Sequence, residues 1–277
     1  MRPYSVVVPY CGLPPDPGAL WSRWNLDPVL IAILVAIGVA YALAVPTAIR
    51  RGAVARGNAA CFAIGWAVLA AALISPLCAL SVSLFAARVA QHMVIVLVAI
   101  PLIAAGRPGR IVRAALAPER RPDSGRGNFL TALGASAAFA IALWFWHMPL
   151  PYDATFASDV VYWAMHITMI LSALWLWSVL LDRRRDRAVG AIATGLAAST
   201  QMSLLGAAIT FAGHPLYAPH LLTTGAWGMT PLLDQQLGGA IMWVPGGAIF
   251  LTAAMFVLVA MIGGERARPA PVRIRVR

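Results

Sequence analysis

Long apolar runs separated by short, arginine-bearing connections set the pattern of the chain. Crossing about 30 Å of hydrocarbon as helix takes roughly 20 mostly apolar residues. Seven stretches are long enough: about residues 28–47, 59–79, 89–106, 128–147, 159–180, 188–212 and 235–262. The pattern predicts an all-α, polytopic membrane bundle of seven transmembrane helices. An outer N-terminal segment (1–27) precedes the membrane domain (28–262), and a basic tail (263–277) follows it. No repeat of fixed period and no low-complexity tract divides the chain further.

Composition supplies the solvent. With 61% hydrophobic and 11% charged residues in 277, there is too little polar surface to cover a water-soluble domain. Charge supplies the orientation. All 21 basic residues are arginine, and 18 of them fall in the connections after spans one, three and five and in the tail, against Arg2, Arg23 and Arg88 opposite. By the positive-inside rule the tail is cytoplasmic and the N-terminus is outside. The net charge of +11 therefore reports topology. These arginines flank spans and meet lipid headgroups, so no nucleic-acid partner is expected. The Pro-rich start lacks the continuous apolar core of a signal peptide, and no cleavage is expected. Cys11 and Cys78 share the outer side, where a disulfide and two free thiols are both open; Cys61 lies towards the inner end of span two.

On this topology all five histidines sit at or near the outer face. His92 lies about one turn into span three, His147 closes span four, His166 is about two turns into span five, and His214 and His220 occupy an outer loop. Metal-binding or ionisable side chains inside a span are costly and usually face a cavity or a partner. The helical period aligns Tyr162, His166 and Met169 on one stripe, and Asp234, Gly238 and Met242 on another, with Gln235 and Gly239 beside it. The glycines leave a groove for a neighbouring helix, or for the imidazole of His166 or His92. Pro245 kinks the span just below.

Imidazole and thioether donors together suit copper, especially Cu(I). The expected ligands are His92, His147, His166 and Met242, with Asp234 and Gln235 fixing an imidazole tautomer. Arg88, one turn before His92, either stays with lipid headgroups or adds a fixed positive charge that would keep that imidazole neutral and free to bind metal. Each element also has a plainer use. Methionines fill gaps, Trp144, Trp146, Trp163 and Trp243 form an interfacial belt, and His214 and His220 are ordinary loop residues.

The blocks "ARVAQHMVIVLVAIPLIAAGRPGR", "WFWHMPLPYDATFAS", "YWAMHITMILSALWLWSVLLD", "QMSLLGAAITFAGHPLYAPH" and "PLLDQQLGGAIMWVPGGAIF" resemble, in the same order, the motif blocks of the multi-span CtaG-type cytochrome c oxidase assembly factors, over roughly residues 20–262. The resemblance implies a multi-pass protein of the bacterial cytoplasmic membrane that helps mature haem-copper oxidase by delivering copper. Its partners would be an oxidase subunit and a periplasmic copper carrier, and the site would lie near the outer face. The family's motif residues fall on Gln91, His92, His147, His166, Asp234, Gln235, Met242 and Trp243, and Tyr162 and Arg88 border them. Two positions depart from the pattern. Arg88 stands where many members have a further histidine, and Met165 where they have an acidic residue, so the ligand set is one imidazole and one carboxylate shorter.

No nucleophile–base pair or phosphate loop occurs, so an enzyme is not expected. The competing readings are a cytochrome b-like protein with haem between two histidines, a copper permease, and an assembly scaffold without metal.

Overall fold

The computed structural model describes residues 8–116, 129–182 and 184–266. Part of the basic tail, and the arginines between Leu116 and Phe129, lie outside the described residues. Among the described residues there is no strand. The helices are α1 (Pro28–Arg50), α2 (Arg56–Ile74), α3 (Leu77–Ser83), α4 (Phe85–Val94), α5 (Ile100–Ala105), α6 (Pro108–Leu116), α7 (Phe129–Trp146), α8 (Pro149–Ala157), α9 (Asp159–Leu180), α10 (Ala188–Thr210), α11 (Pro231–Ile241) and α12 (Gly247–Arg266). Seven helices are long and apolar enough to cross a membrane, with α4 continuing into α5 and α11 into α12 to make the third and the seventh.

The expected boundaries hold to within a few residues, with three corrections. Span two stops at Ile74, because Pro76 starts the separate short helix α3. Span three begins at Phe85, so His92 lies about two turns into the helix, not one. Span seven begins at Pro231 behind the Thr230 cap, which places Asp234 inside its first turn. The third span is the centre of the bundle, with 61% of its most apolar window buried against 11% for α1. α10 packs against α12, α7 and α11, and α4 against α11.

Both composite spans are joined by a π turn, at Ile95–Ala99 and Met242–Gly246, and each turn contains or precedes a proline. In the first, the Ile100 N–H bonds the Ile95 carbonyl, and the next bond in that register would run from residue 101 to Val96. Pro101 has no proton to give. The Trp177 indole N–H donates to the Val96 carbonyl instead, at 2.8 Å, so the backbone group freed inside the bundle is satisfied by a neighbouring helix. The kink expected at Pro245 takes the form of the second π turn.

One end of the bundle gathers the N-termini of α4, α9 and α11, the C-terminus of α7, helices α3 and α8, and the segment between α10 and α11. Tyr217 donates to the His147 carbonyl (3.0 Å), and Thr223 to the Ser83 carbonyl (2.6 Å). A disulfide between Cys11 and Cys78, with Cα atoms 5.5 Å apart, fastens the N-terminal segment here and decides the alternative the sequence left open. At the opposite end lie Arg50, Arg51, Arg56 and the short amphipathic helix α6 with Arg110 and Arg113, which packs on α1 through Ile111, Ala48 and Val54.

Candidate functional site: a buried histidine pair

α4 and α9 cross so that the rings of His92 and His166 stand 5.2 Å apart, tilted by 42°. His166 Nδ1 lies 3.1 Å from the Tyr162 carbonyl one turn back. A carbonyl only accepts, so Nδ1 carries the proton and Nε2 presents a lone pair. His147 makes the equivalent contact with the Leu143 carbonyl, at 2.6 Å. Two imidazoles are thus held in one tautomer by their own helices. The Nε2 atoms of His92 and His166 are buried without a hydrogen-bond partner. Buried polar atoms are nearly always paired, and an exception needs a reason.

Beside them is a small cavity of about 10 Å³, lined by Arg88, His92, His147, Met165, Met169 and Trp146 among others. That is space for about one water-sized particle. Among the described residues no three His, Cys, Asp or Glu side chains stand together as a metal-holding group. The soft donors the fold brings together are the neighbouring imidazoles of His92 and His166, with His147, Met165 and Met169 on the same cavity as His92.

The residues expected to surround the ligands do different work. Asp234 does not touch an imidazole: its two oxygens accept the Phe85 and Ala86 N–H groups, at 2.7 and 3.0 Å. It caps α4 from another helix. Gln235 accepts from the Leu216 N–H (2.6 Å) and donates to the Ile209 and His214 carbonyls (both 3.3 Å), pinning the loop that leaves α10. Gln91 donates to the Ala72 carbonyl of α2 at 2.8 Å. Trp243 packs on Phe211, and Met242 is fully buried in the π turn and does not line the cavity. The glycine groove admits helices rather than imidazoles. A Cβ on Gly238 would sit 2.4 Å from the Phe85 ring, and one on Gly239 2.4 Å from the Thr210 hydroxyl. Tyr162 packs against His166, with ring centres 4.3 Å apart and tilted by 39°, and places its hydroxyl 3.4 Å from Cys11 Sγ.

Sequence reasoning passed over His220. It is 2% exposed, lies in the segment between α10 and α11, and its Nε2 is 2.7 Å from the Tyr152 hydroxyl. Burial pushes its pKa down to about 3. A depressed histidine pKa means stability that is complete above the unfolded value near 6.5 and is lost as pH falls towards 3. Between pH 6.5 and 4.5 the thermal midpoint in detergent is expected to drop, by ~2–3 kcal/mol of stability, and His220→Gln is expected to flatten that slope. An equal slope in both proteins would place the acid sensitivity elsewhere.

Of the motif residues, the fold brings the rings of His92 and His166 together and puts His147 on the cavity of His92, while Asp234, Gln235, Gln91, Met242 and Trp243 make their contacts elsewhere. The family model of the cytochrome c oxidase caa3 assembly factor (Caa3_CtaG) matches residues 39–263. The chain belongs to that family. It is a membrane-embedded assembly factor for cytochrome c oxidase, and this role implies an interaction with the oxidase. No curated protein and no solved structure matches the chain.

Proposed function

We propose that this assembly factor holds Cu(I) between His92 and His166 and passes it to the oxidase by ligand exchange, without covalent chemistry. The observation that carries the reading is the pair of buried, unpartnered Nε2 atoms on two imidazole rings whose centres are 5.2 Å apart. Water would satisfy either atom alone, but soft donors clustered around a space for one small ion suit monovalent copper. His147 supplies a third imidazole. Met165 or Met169, which line the cavity, supply a thioether in place of Met242.

The same reading puts the site at the outer side of a bacterial cytoplasmic membrane, with the C-terminus inside. Two independent arguments support it: arginines cluster at the far end, and a disulfide belongs on the oxidising side. An oxidase subunit would receive the metal there, and a periplasmic carrier would supply it.

Copper content tests the proposal. Detergent-purified protein equilibrated with Cu(I) under ascorbate is expected to retain about one copper per chain, and a His92→Ala/His166→Ala variant to retain none. Equal, negligible copper in both would leave the histidines as partner-contact or packing residues. A Soret band in the purified protein would favour haem, although the cavity as folded has no room for a macrocycle. Met93 and Met202, which both lie against Gly246 deeper in the bundle, give the permease reading its observation. Cu(I) uptake into proteoliposomes would decide for it.

A further inference from the structure

Arg88 is 3% exposed, and among the described residues no carboxylate lies within ion-pair distance of it. Nη2 donates to the neutral Thr155 hydroxyl at 2.6 Å and approaches Met165 Sδ at 3.8 Å. The guanidinium sits 4.4 Å from the Phe156 ring centre, 5.1 Å from Tyr152 and 5.8 Å from Tyr162. These rings hold the cation and offset part of its charge. The acids of the elements around it are turned to other uses: Asp234 accepts from the α4 N-terminus, and Asp153 of α8 lines an outer groove with Pro9, Leu13 and Pro14.

A guanidinium stays protonated in a protein, so this positive field is permanent. Arg88 lines the same cavity as His92, His147, Met165 and Met169, and that cavity admits about one water-sized particle. A metal ion there takes the place of one water and stands beside the cation, with no room for an anion between them. The repulsion grows with the charge of the metal. Imidazoles by themselves do not choose Cu(I): three histidines are also a common zinc set, and nitrogen donors bind Cu(II) more tightly than Zn(II). We propose that Arg88 selects the valence of the metal, its uncompensated charge excluding divalent ions from the histidine site and leaving Cu(I) as the ion the site holds. The thioethers favour a soft ion and the guanidinium a singly charged one. Burying such a cation costs the fold stability, and metal choice is what that cost supports.

This inference rests on the copper reading above, and the test separates the two. Cu(I) and Zn(II) both have a closed d shell and differ by one unit of charge, so the field of Arg88 acts once on the first and twice on the second. Affinities of the full chain in detergent are measured by chelator competition for the parent, Arg88→Gln, Arg88→Met and Arg88→Lys. Loss of the charge in the Gln and Met variants is expected to raise Cu(I) affinity about tenfold and Zn(II) affinity about a hundredfold. Arg88→Lys, which keeps the charge, is expected to keep most of the parent's discrimination. The Cu(II)/Cu(I) potential of bound copper is expected to fall by about 59 mV in the two neutral variants, which is the same tenfold ratio for one electron. Arg88→Met puts an apolar side chain where a charge was buried and is expected to melt no lower than the parent.

An equal change for both metals, or a lysine variant that discriminates no better than the methionine variant, would overturn the proposal and leave the copper reading standing. If the parent takes up no Cu(I), the copper reading fails, and Zn(II) then decides for Arg88. Zinc bound by Arg88→Met but not by the parent would support the charge filter, and zinc bound by neither would sink it. A purely packing role for Arg88 would shift the melting temperature and leave the affinity ratio and the potential where they were.

Discussion

Asp234→Ala is expected to destabilise the protein by ~2–6 kcal/mol, because each of two buried backbone donors left without a partner costs about 1–3 kcal/mol. The Phe85 and Ala86 N–H groups open α4 and have no other acceptor in view. The residue at the cap position is Leu84, whose side chain accepts nothing. The carboxylate also faces the positive end of the helix dipole, which adds to the loss. α4 carries both Arg88 and His92, so fraying its first turn disturbs the cavity as well. The expected reading is a thermal midpoint in detergent lower by ~10 °C, with copper retention falling in parallel. Asp234→Asn, which keeps one accepting oxygen, should fall between. An unchanged midpoint in Asp234→Ala would mean that water replaces the carboxylate and that the cap contributes little.

The same carboxylate shows where the sequence stops being legible. The seven spans can be read from the chain because the bilayer imposes a length of about 20 apolar residues on each, and that constraint is local. The start of α4 is not local. Its cap comes from 149 residues away, and the cap position itself is Leu84 rather than a Ser, Thr, Asp or Asn that would announce it, so the predicted boundary falls four residues late. Asp234 and Gln235 stand out in the chain as polar residues at the head of a membrane helix, and their chemistry alone suggests partners of an imidazole. The geometry gives them backbone N–H and carbonyl groups. The convergence of His92 with His166 was equally out of reach, since order along the chain does not fix which helices of a bundle touch. His220 was hidden for a related reason. It lies in a connection, where histidines are usually exposed, and the packing of Tyr152, Phe156 and Phe85 around it makes it a buried group.

Removing the disulfide is expected to have the second large effect, on access rather than on the helices. Cys11 and Cys78 are 67 residues apart, and losing a bond that closes a loop of this size typically costs about 2–5 kcal/mol. In a bundle whose spans are held by the bilayer, that loss falls mainly on the segment the bond restrains. This segment runs over the histidine site: Tyr10 stacks on Tyr162 at 4.7 Å and meets Trp163 edge-on at 5.1 Å, and Tyr162 in turn packs at a tilt against His166. The Tyr10 hydroxyl also donates to Asp27, the N-cap of α1, and holds that carboxyl below the usual range. Cys11→Ser/Cys78→Ser is therefore expected to raise amide hydrogen exchange by more than tenfold across residues 8–27, while α4 and α9 stay protected near His92 and His166. Cu(I) uptake should become faster at an affinity changed little, because the ligands stay in place and only their cover loosens. If exchange in 8–27 is unaltered, the aromatic contacts of Tyr10 hold the segment without the covalent bond. If α4 and α9 lose protection too, the disulfide supports the site itself and not merely its cover.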